Sequence, residues 1–179
     1  MYSAYLAPIS HYRTFLRERA VVVLPAGDER WQKQTLRNRC YIDSPLGPLA
    51  LTVPVVHPAP GTLMRDVRIS DHGEWRHQHW NALCSSYRQT PFFDYYEEDF
   101  RPFYEERRWT FLVDFNKALQ QMVLSLTGLD DERLRAAFGT CVPRETPYHQ
   151  MFASRHGFLP DLSIVDLLFN MGPESVFWL

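Results

Sequence analysis

The chain contains Arg37-Asn38-Arg39-Cys40-Tyr41-Ile42, then the turn Ser44-Pro45-Leu46-Gly47-Pro48, then the largely apolar run Leu49–Val55. Two strand-like runs on either side of a Pro- and Gly-containing turn predict a β-hairpin. Residues two apart on a strand project from the same face, so Arg37 and Arg39 are expected to present their guanidinium groups side by side. Such a pair suits a bidentate carboxylate or phosphate.

Strand-like segments surround this hairpin in the N-terminal half of the chain. Tyr2–Pro8 and Ala20–Leu24 are short apolar runs that predict strands. Between them, a helix is predicted from Ser10 to Arg19, with Ser10 as its N-cap. Met64–Ser70 alternates in polarity and predicts one more short strand.

Helical periodicity dominates the C-terminal half. It predicts helices from Glu74 to Pro91, over Phe92–Glu106, over Thr110–Thr127 before Gly128, within Asp130–Phe138, and over Leu162–Met171 with Asp161 as N-cap. Gly139 to Pro160 is mostly irregular, with a candidate strand at Tyr148–Phe152. We therefore predict an α/β fold, a small mixed β-sheet from the N-terminal half packed by helices mainly from the C-terminal half. A single domain is expected over residues 1–179.

Composition narrows the class of protein. The net charge of −2 argues against dedicated nucleic-acid binding, and no apolar run approaches the length of a membrane span. Three widely spaced cysteines and the lack of a signal-peptide pattern predict a cytoplasmic protein with reduced thiols. The chain has no G-x-S-x-G, Walker or G-x-G-x-x-G motif, and no cofactor is predicted. The oligomeric state is left open.

Two groups of residues are candidates for ligand binding. Lys33, Arg37, Asn38 and Arg39 are candidates for an anion clamp, and the alternative is a solvated hairpin face with surface ion pairs. Tyr148 and Gln150 would point to one side of an extended segment and either contact a ligand or pin a loop.

Two side chains are candidates for proton transfer. Asp166 and Asn170 form a polar stripe with Ser163 on the otherwise apolar last helix. Asp166 is either a general base, a countercharge to Arg37 or Arg39, or a structural link to nearby loops. His79 is either a pocket base or an ordinary interface histidine beside Trp80. His77 and His79 point about 200° apart on a helix, so no metal site is predicted.

Several stretches of the sequence together resemble the WbqC-like protein family. They are Tyr5-Leu6-Ala7-Pro8-Ile9 with Tyr12, Lys33-Gln34 with Arg37-Asn38-Arg39, Leu51–Val55, His79-Trp80 with Tyr87 and Pro91-Phe92-Phe93, and, as the longest, Gly157–Asn170. The resemblance is weakest over Asp130–Pro147, where many family members are longer.

The resemblance implies a bacterial protein of surface-polysaccharide assembly. It suggests a transferase that adds an aminoacyl group such as glycine to an amino sugar, with a non-catalytic sugar or nucleotide-sugar binding protein as the competing class. Either protein would take a small sugar or an anionic ligand. An enzyme of this kind needs a base, for which Asp166 and His79 are the candidates, and oxyanion donors, for which Arg37, Asn38 and Arg39 are the candidates.

Overall fold

The hairpin forms as predicted. The computed structural model describes residues 2–17, 27–138, 143–144 and 146–179. Among these residues, β1 (Arg39–Ile42) and β2 (Leu49–Thr52) pair antiparallel, with Arg39 opposite Thr52. The Gly47 N–H donates to Ser44 O at 3.0 Å across the turn, and Gly47 has a φ of 99°, a conformation that glycine adopts without steric cost.

The other regular elements of the described residues are helices. They are α1 (Ile9–Arg17), α2 (Trp75–Tyr87), α3 (Phe93–Glu105), α4 (Leu112–Leu126), α5 (Glu132–Phe138), α6 (Ala153–His156) and α7 (Ile164–Met171), with 3-10 helices at Met64–Asp66 and Gly172–Trp178. In α4, for example, Phe115, Leu119 and Val123 recur every four residues and are buried. The α/β class is confirmed, with a small sheet in the N-terminal half and helices mainly in the C-terminal half.

The sheet is smaller than the sequence predicts. Within the described ranges, the sheet consists of one antiparallel pair of strands. The predicted Ala20–Leu24 strand lies outside the described residues. Tyr2–Pro8 makes an isolated bridge at Pro8 to Ser163 instead of a strand, and the positive φ of Leu6, 41°, interrupts its extension. Met64–Ser70 begins with a 3-10 turn, in which the Val67 N–H bonds back to Met64 O at 3.2 Å.

The predicted strand at Tyr148–Phe152 does not form, because residues 148–150 are irregular and residues 151–152 form a turn. Tyr148 and Gln150 are nevertheless buried while His149 between them is exposed, so the two side chains share the inner side. The segment is held by side-chain hydrogen bonds rather than by a backbone ladder.

The helix caps differ from the prediction because Asp161 serves a different helix. Ser163 is the N-cap of α7 and accepts from Val165 N at 3.5 Å. The Asp161 carboxylate instead accepts from Ser10 N at 2.7 Å and from Ser10 Oγ at 2.8 Å, at the start of α1. Asp161 thus satisfies an N-terminal donor of a helix that lies far away in sequence.

Side chains from both ends of the chain share one hydrophobic cluster, which extends from Ala4 to Leu179. At its middle, the Phe169 ring of α7 lies 5.2–5.3 Å from the rings of Tyr87, Phe93 and Phe100. Offset and edge contacts of this kind stabilise beyond the area they bury. The cluster places α7 against α2 and α3, and thereby fixes where Asp166 lies.

Replacing Gly172 with alanine should destabilise this packing. Gly172 has a φ of 55°, and an added Cβ would lie 2.4 Å from the Phe92 ring. The steric clash and the left-handed backbone together should lower the free energy of unfolding by about 2–4 kcal/mol. Gly157→Ala is the matched control, because Gly157 has a φ of 83° with no atom within 4 Å of the added Cβ. The free energy of unfolding is measured by urea denaturation, and an equal decrease in the two variants would contradict this packing.

Candidate functional site

A buried carboxylate in the first turn of α7 gathers three hydrogen-bond donors. Asp166 is 0% exposed. Its Oδ1 accepts from the Tyr87 hydroxyl at 2.9 Å, and its Oδ2 accepts from the Tyr148 hydroxyl at 2.5 Å and from Gln150 Nε2 at 2.9 Å. Burial raises the pKa of Asp166 to about 6, although all three donors act in the opposite direction.

A second buried carboxylate lies close to the first. Asp43 follows β1, and its Oδ1 lies 3.0 Å from His156 Nε2. Burial raises the pKa of Asp43, while His156 acts to lower it. The Asp43 N–H donates to the Tyr87 hydroxyl at 2.9 Å, so Tyr87 links the surroundings of Asp43 to Asp166.

His156 is oriented by oxygen atoms on both sides of its ring. Its Nδ1 lies 3.0 Å from Gly157 O, and its Nε2 lies 3.1 Å from Ser44 O as well as near Asp43. These contacts fix the orientation of the ring beside Asp43. The sequence carries no signal for the pair, because Asp43 and His156 are far apart in the chain.

A cleft of about 330 Å³ borders Tyr148. We call it the arginine cleft, and its main lining residues are Arg13, Arg17, Arg144, Tyr148, Phe158 and Trp178. Arg13 and Arg17 are one helical turn apart on α1 and therefore lie on the same face. Arg144 and Trp178 come from the C-terminal part of the chain, so the cleft joins the two ends of the protein.

Trp178 holds two of the arginines in place. Its backbone carbonyl accepts from Arg13 Nε at 2.7 Å, and the Arg144 guanidinium lies over its ring, 4.8 Å from the centroid. The indole itself is fixed by a 2.9 Å bond from Nε1 to Thr146 O. Sequence reasoning missed these residues. The sequence offered one signal for the cleft, which is that Arg13 and Arg17 lie off the buried face of α1.

The predicted anion clamp on the hairpin is engaged in local bonds. Arg37 Nη1 donates to Gln32 Oε1 at 2.9 Å. Arg39 Nε donates to the hydroxyl of its cross-strand partner Thr52 at 2.8 Å. Asn38 is 4% exposed, and its Nδ2 donates to Val53 O at 2.9 Å. Lys33 is exposed before the hairpin. These contacts favour the structural alternative for the hairpin residues.

The structure does not bring the hairpin arginines to Asp166. The described donors to Asp166 are two phenols and an amide, which makes the countercharge interpretation wrong. β1 approaches Asp166 through Asp43, about 13 Å along the strand from Arg39. Arg37 instead lies near Tyr2, where it acts to lower the phenol pKa that burial raises.

His79 and Asn170 are held within the interior. His79 is 5% exposed, and its Nδ1 lies 2.9 Å from the Tyr5 hydroxyl. Burial lowers the pKa of His79 to about 4. Asn170 Nδ2 donates to Asp166 O at 2.8 Å within α7. Both placements favour structural roles, whereas Tyr148 and Gln150 contact the Asp166 side chain directly.

The chain belongs to the WbqC-like protein family, whose sequence profile matches residues 4–137. The matched region contains Arg13, Asp43 and Tyr87, whereas Tyr148 and Asp166 follow it. The run Gly157–Asn170, the longest part of the resemblance noted in the sequence, also lies outside the match.

Comparisons with curated proteins and with solved structures found no significant similarity to the chain. Within the described part of the chain, no helix combines the length and the apolar character needed to cross a membrane.

Proposed function

We propose that the protein is a transferase of surface-polysaccharide assembly that adds an aminoacyl group, such as glycine, to the amine of an amino sugar. The observation that carries this proposal is the position of Tyr148. This residue borders the arginine cleft, and its hydroxyl donates a hydrogen bond to buried Asp166. Membership of the WbqC-like family supports the polysaccharide setting. The Tyr148–Asp166 pair supplies a route for the proton that an acceptor amine must lose.

The proposed step forms an amide bond. The acceptor nitrogen attacks the carbonyl carbon of an activated aminoacyl ester, and its proton passes to Tyr148 Oη while the Tyr148 proton passes to Asp166 Oδ2. The bond between the acyl carbon and the ester oxygen then breaks. That oxygen leaves with the proton returned from Asp166 through Tyr148. In this proposal, the positive charge of the cleft stabilises the transient oxyanion.

The electrostatics of the pair suit this relay. The pKa of Asp166, raised to about 6 by burial, is closer to neutral pH than that of an ordinary carboxyl, so the group accepts and returns a proton more evenly. Burial and then the Asp166 charge raise the pKa of Tyr148, which keeps the phenol protonated. Tyr148 therefore acts by passing a proton on and not as a free phenolate.

A non-catalytic sugar or nucleotide-sugar binding protein is the second candidate. The complete burial of Asp166 favours it, because a carboxylate with three internal donors also serves to fix Tyr148 and Gln150 against α7. In this case, the same cleft holds the ligand, and Tyr148 contributes only a wall.

Tyr148→Phe tests the transferase directly. The variant keeps the ring in the cleft and removes the hydroxyl, so the rate of amide formation should fall by about 10²–10⁴-fold. Mass spectrometry of amino-sugar acceptors incubated with an aminoacyl ester measures the product, and calorimetry measures acceptor affinity, which should change little.

Tyr95→Phe is the matched control, because Tyr95 is 72% exposed on α3. Wild-type turnover in Tyr148→Phe would rule out the relay. Tight acceptor binding by the wild type without any product, across the acceptor panel, would favour the binding protein.

A further inference from the structure

We infer that Arg13, Arg17 and Arg144 form a phosphate subsite in the arginine cleft, which takes a phosphate or diphosphate group of the ligand. The inference deepens the proposed function, on which it rests for the identity of the cleft, by naming the chemical class of the ligand. It moves the proposed anion site from the hairpin arginines to this cleft.

The first observation is an excess of positive charge in the cleft. Arg13 and Arg17 lie about 5–6 Å apart at their Cβ atoms on α1, and Arg144 faces the same cavity from another segment. Among the described residues, none of the three forms an ion pair with a carboxylate. Asp161 also lines the cleft, where its two oxygens accept from Ser10, and its negative charge offsets one of the three positive charges. Like charges repel, so this cluster favours a bound anion.

The second observation is that two of the guanidinium groups are pre-positioned. Arg13 uses Nε to bond the Trp178 carbonyl, and its terminal Nη atoms have no hydrogen-bond partner among the residues that the structure describes. The Arg144 guanidinium lies over both the Trp178 ring and the Phe177 ring, at 4.8 and 5.0 Å from the centroids, and stacking leaves the N–H edges available for in-plane donation. Pre-positioned arginines lose less side-chain entropy when they bind an anion.

The third observation concerns the rest of the ligand. The rings of Phe158 and Tyr148 meet edge to face at 5.2 Å beside the three arginines. An aromatic wall next to a cationic wall suits a phosphorylated molecule that carries a ring. The volume of about 330 Å³ is within the range of small-molecule sites. A sugar phosphate and a nucleotide sugar share this chemistry.

Isothermal titration with inorganic pyrophosphate tests the subsite. Wild-type protein should bind it, and raising the salt concentration should weaken the binding. Arg13→Gln and Arg144→Gln should each reduce the affinity about tenfold to a hundredfold, because each removes a charge-assisted contact. Arg68→Gln is the matched control, because Arg68 is exposed and does not line the cleft. Its guanidinium lies over the Phe111 ring, 5.4 Å from the centroid. The Arg68→Gln variant should bind pyrophosphate with the affinity of the wild type.

Parallel titrations identify the source of the phosphate. The probes are an amino-sugar phosphate, a uridine diphosphate amino sugar and the uncharged amino sugar N-acetylglucosamine. Tighter binding of either phosphorylated probe than of N-acetylglucosamine supports the subsite, and the tighter of the two names the form of the ligand.

Three results would overturn the inference. The first is that the wild-type protein does not bind pyrophosphate. The second is that Arg13→Gln and Arg144→Gln both bind it with wild-type affinity. The third is that only Arg37→Ala and Arg39→Ala lose affinity for it. The last result would return the anion site to the hairpin. If an unphosphorylated amino sugar with a free amine, such as glucosamine, is aminoacylated but phosphate adds no affinity, the subsite is wrong and the proposed function stands. If phosphorylated probes bind but no acceptor is aminoacylated, the subsite stands and the transferase does not.

Discussion

Replacing Asp166 with alanine should lower the free energy of unfolding by about 3–6 kcal/mol at pH 5, because three buried donors each lose an acceptor at about 1–2 kcal/mol. Those donors are the hydroxyls of Tyr87 and Tyr148 and Nε2 of Gln150. The variant should also lose transferase activity, since the relay ends at this carboxylate. Urea denaturation measures the stability.

The effect of Asp166→Ala should depend on pH in a stated direction. The folded pKa of Asp166, about 6, lies above the ordinary carboxyl value of 3.8, so the folded state holds this proton more tightly than the unfolded chain does. Protonation of Asp166 therefore adds stability as the pH falls below about 6. The stability difference between wild type and variant should be about 1.4 kcal/mol larger at pH 5 than at pH 8. Asp99→Ala, at an exposed position of α3, is the control and should change stability by less than about 0.5 kcal/mol.

Acidification should destabilise the wild-type protein through two buried histidines. His11 is 8% exposed and His79 is 5% exposed, and burial lowers the pKa of each to about 4. The unfolded chain binds protons at these positions at higher pH than the folded state does. Their contribution is therefore complete above about pH 6.5 and is lost as the pH falls towards 4, at about 3 kcal/mol for each ring.

Asp166 opposes this loss with about 3 kcal/mol over the same range, so the net loss between pH 7 and pH 4 should be about 3–4 kcal/mol. The double variant His11→Gln, His79→Gln should reverse the sign of this pH dependence, because the Asp166 contribution of about 3 kcal/mol then acts unopposed, and urea denaturation at several pH values measures it. His57→Gln, an exposed histidine, should retain it. Equal wild-type stability at pH 4 and pH 7 would show that the two rings are not held neutral.

The sequence predicted those elements whose signals are local. The hairpin around Ser44–Pro48 and the long helices α2, α3 and α4 follow from turn residues and apolar spacing that adjoin in the chain. The N-cap of α7 was misassigned because Asp161 bonds Ser10, and no local pattern distinguishes a cap of its own helix from a cap of another. Tyr2–Pro8 was misassigned as a strand because an apolar run does not reveal the positive φ of Leu6.

The candidate site was predicted only where the chain brings its members close together in sequence. Tyr148, Gln150 and Asp166 were selected as polar residues without an amphipathic explanation, and the structure brings them into contact. The contact between Arg13 and Trp178 joins opposite ends of the chain, and single-sequence spacing contains no signal for it. The roles of these residues in binding and catalysis stay predictions.

The arginine cleft beside Tyr148, and not the hairpin around Arg37, is the proposed site of the ligand. The side-chain indole N–H resonances of two tryptophans report on these two places. Trp178 lines the cleft, and Trp31 precedes Lys33 at the entrance to the hairpin. The resonances are assigned from Trp178→Phe and Trp31→Phe.

The decisive measurement is a ¹⁵N-correlated NMR titration of the wild-type protein with a uridine diphosphate amino sugar. We expect the Trp178 indole resonance to shift in a saturable manner while the Trp31 resonance stays in place. A saturable shift of Trp31 with an unchanged Trp178 would place the ligand at the hairpin and contradict the account.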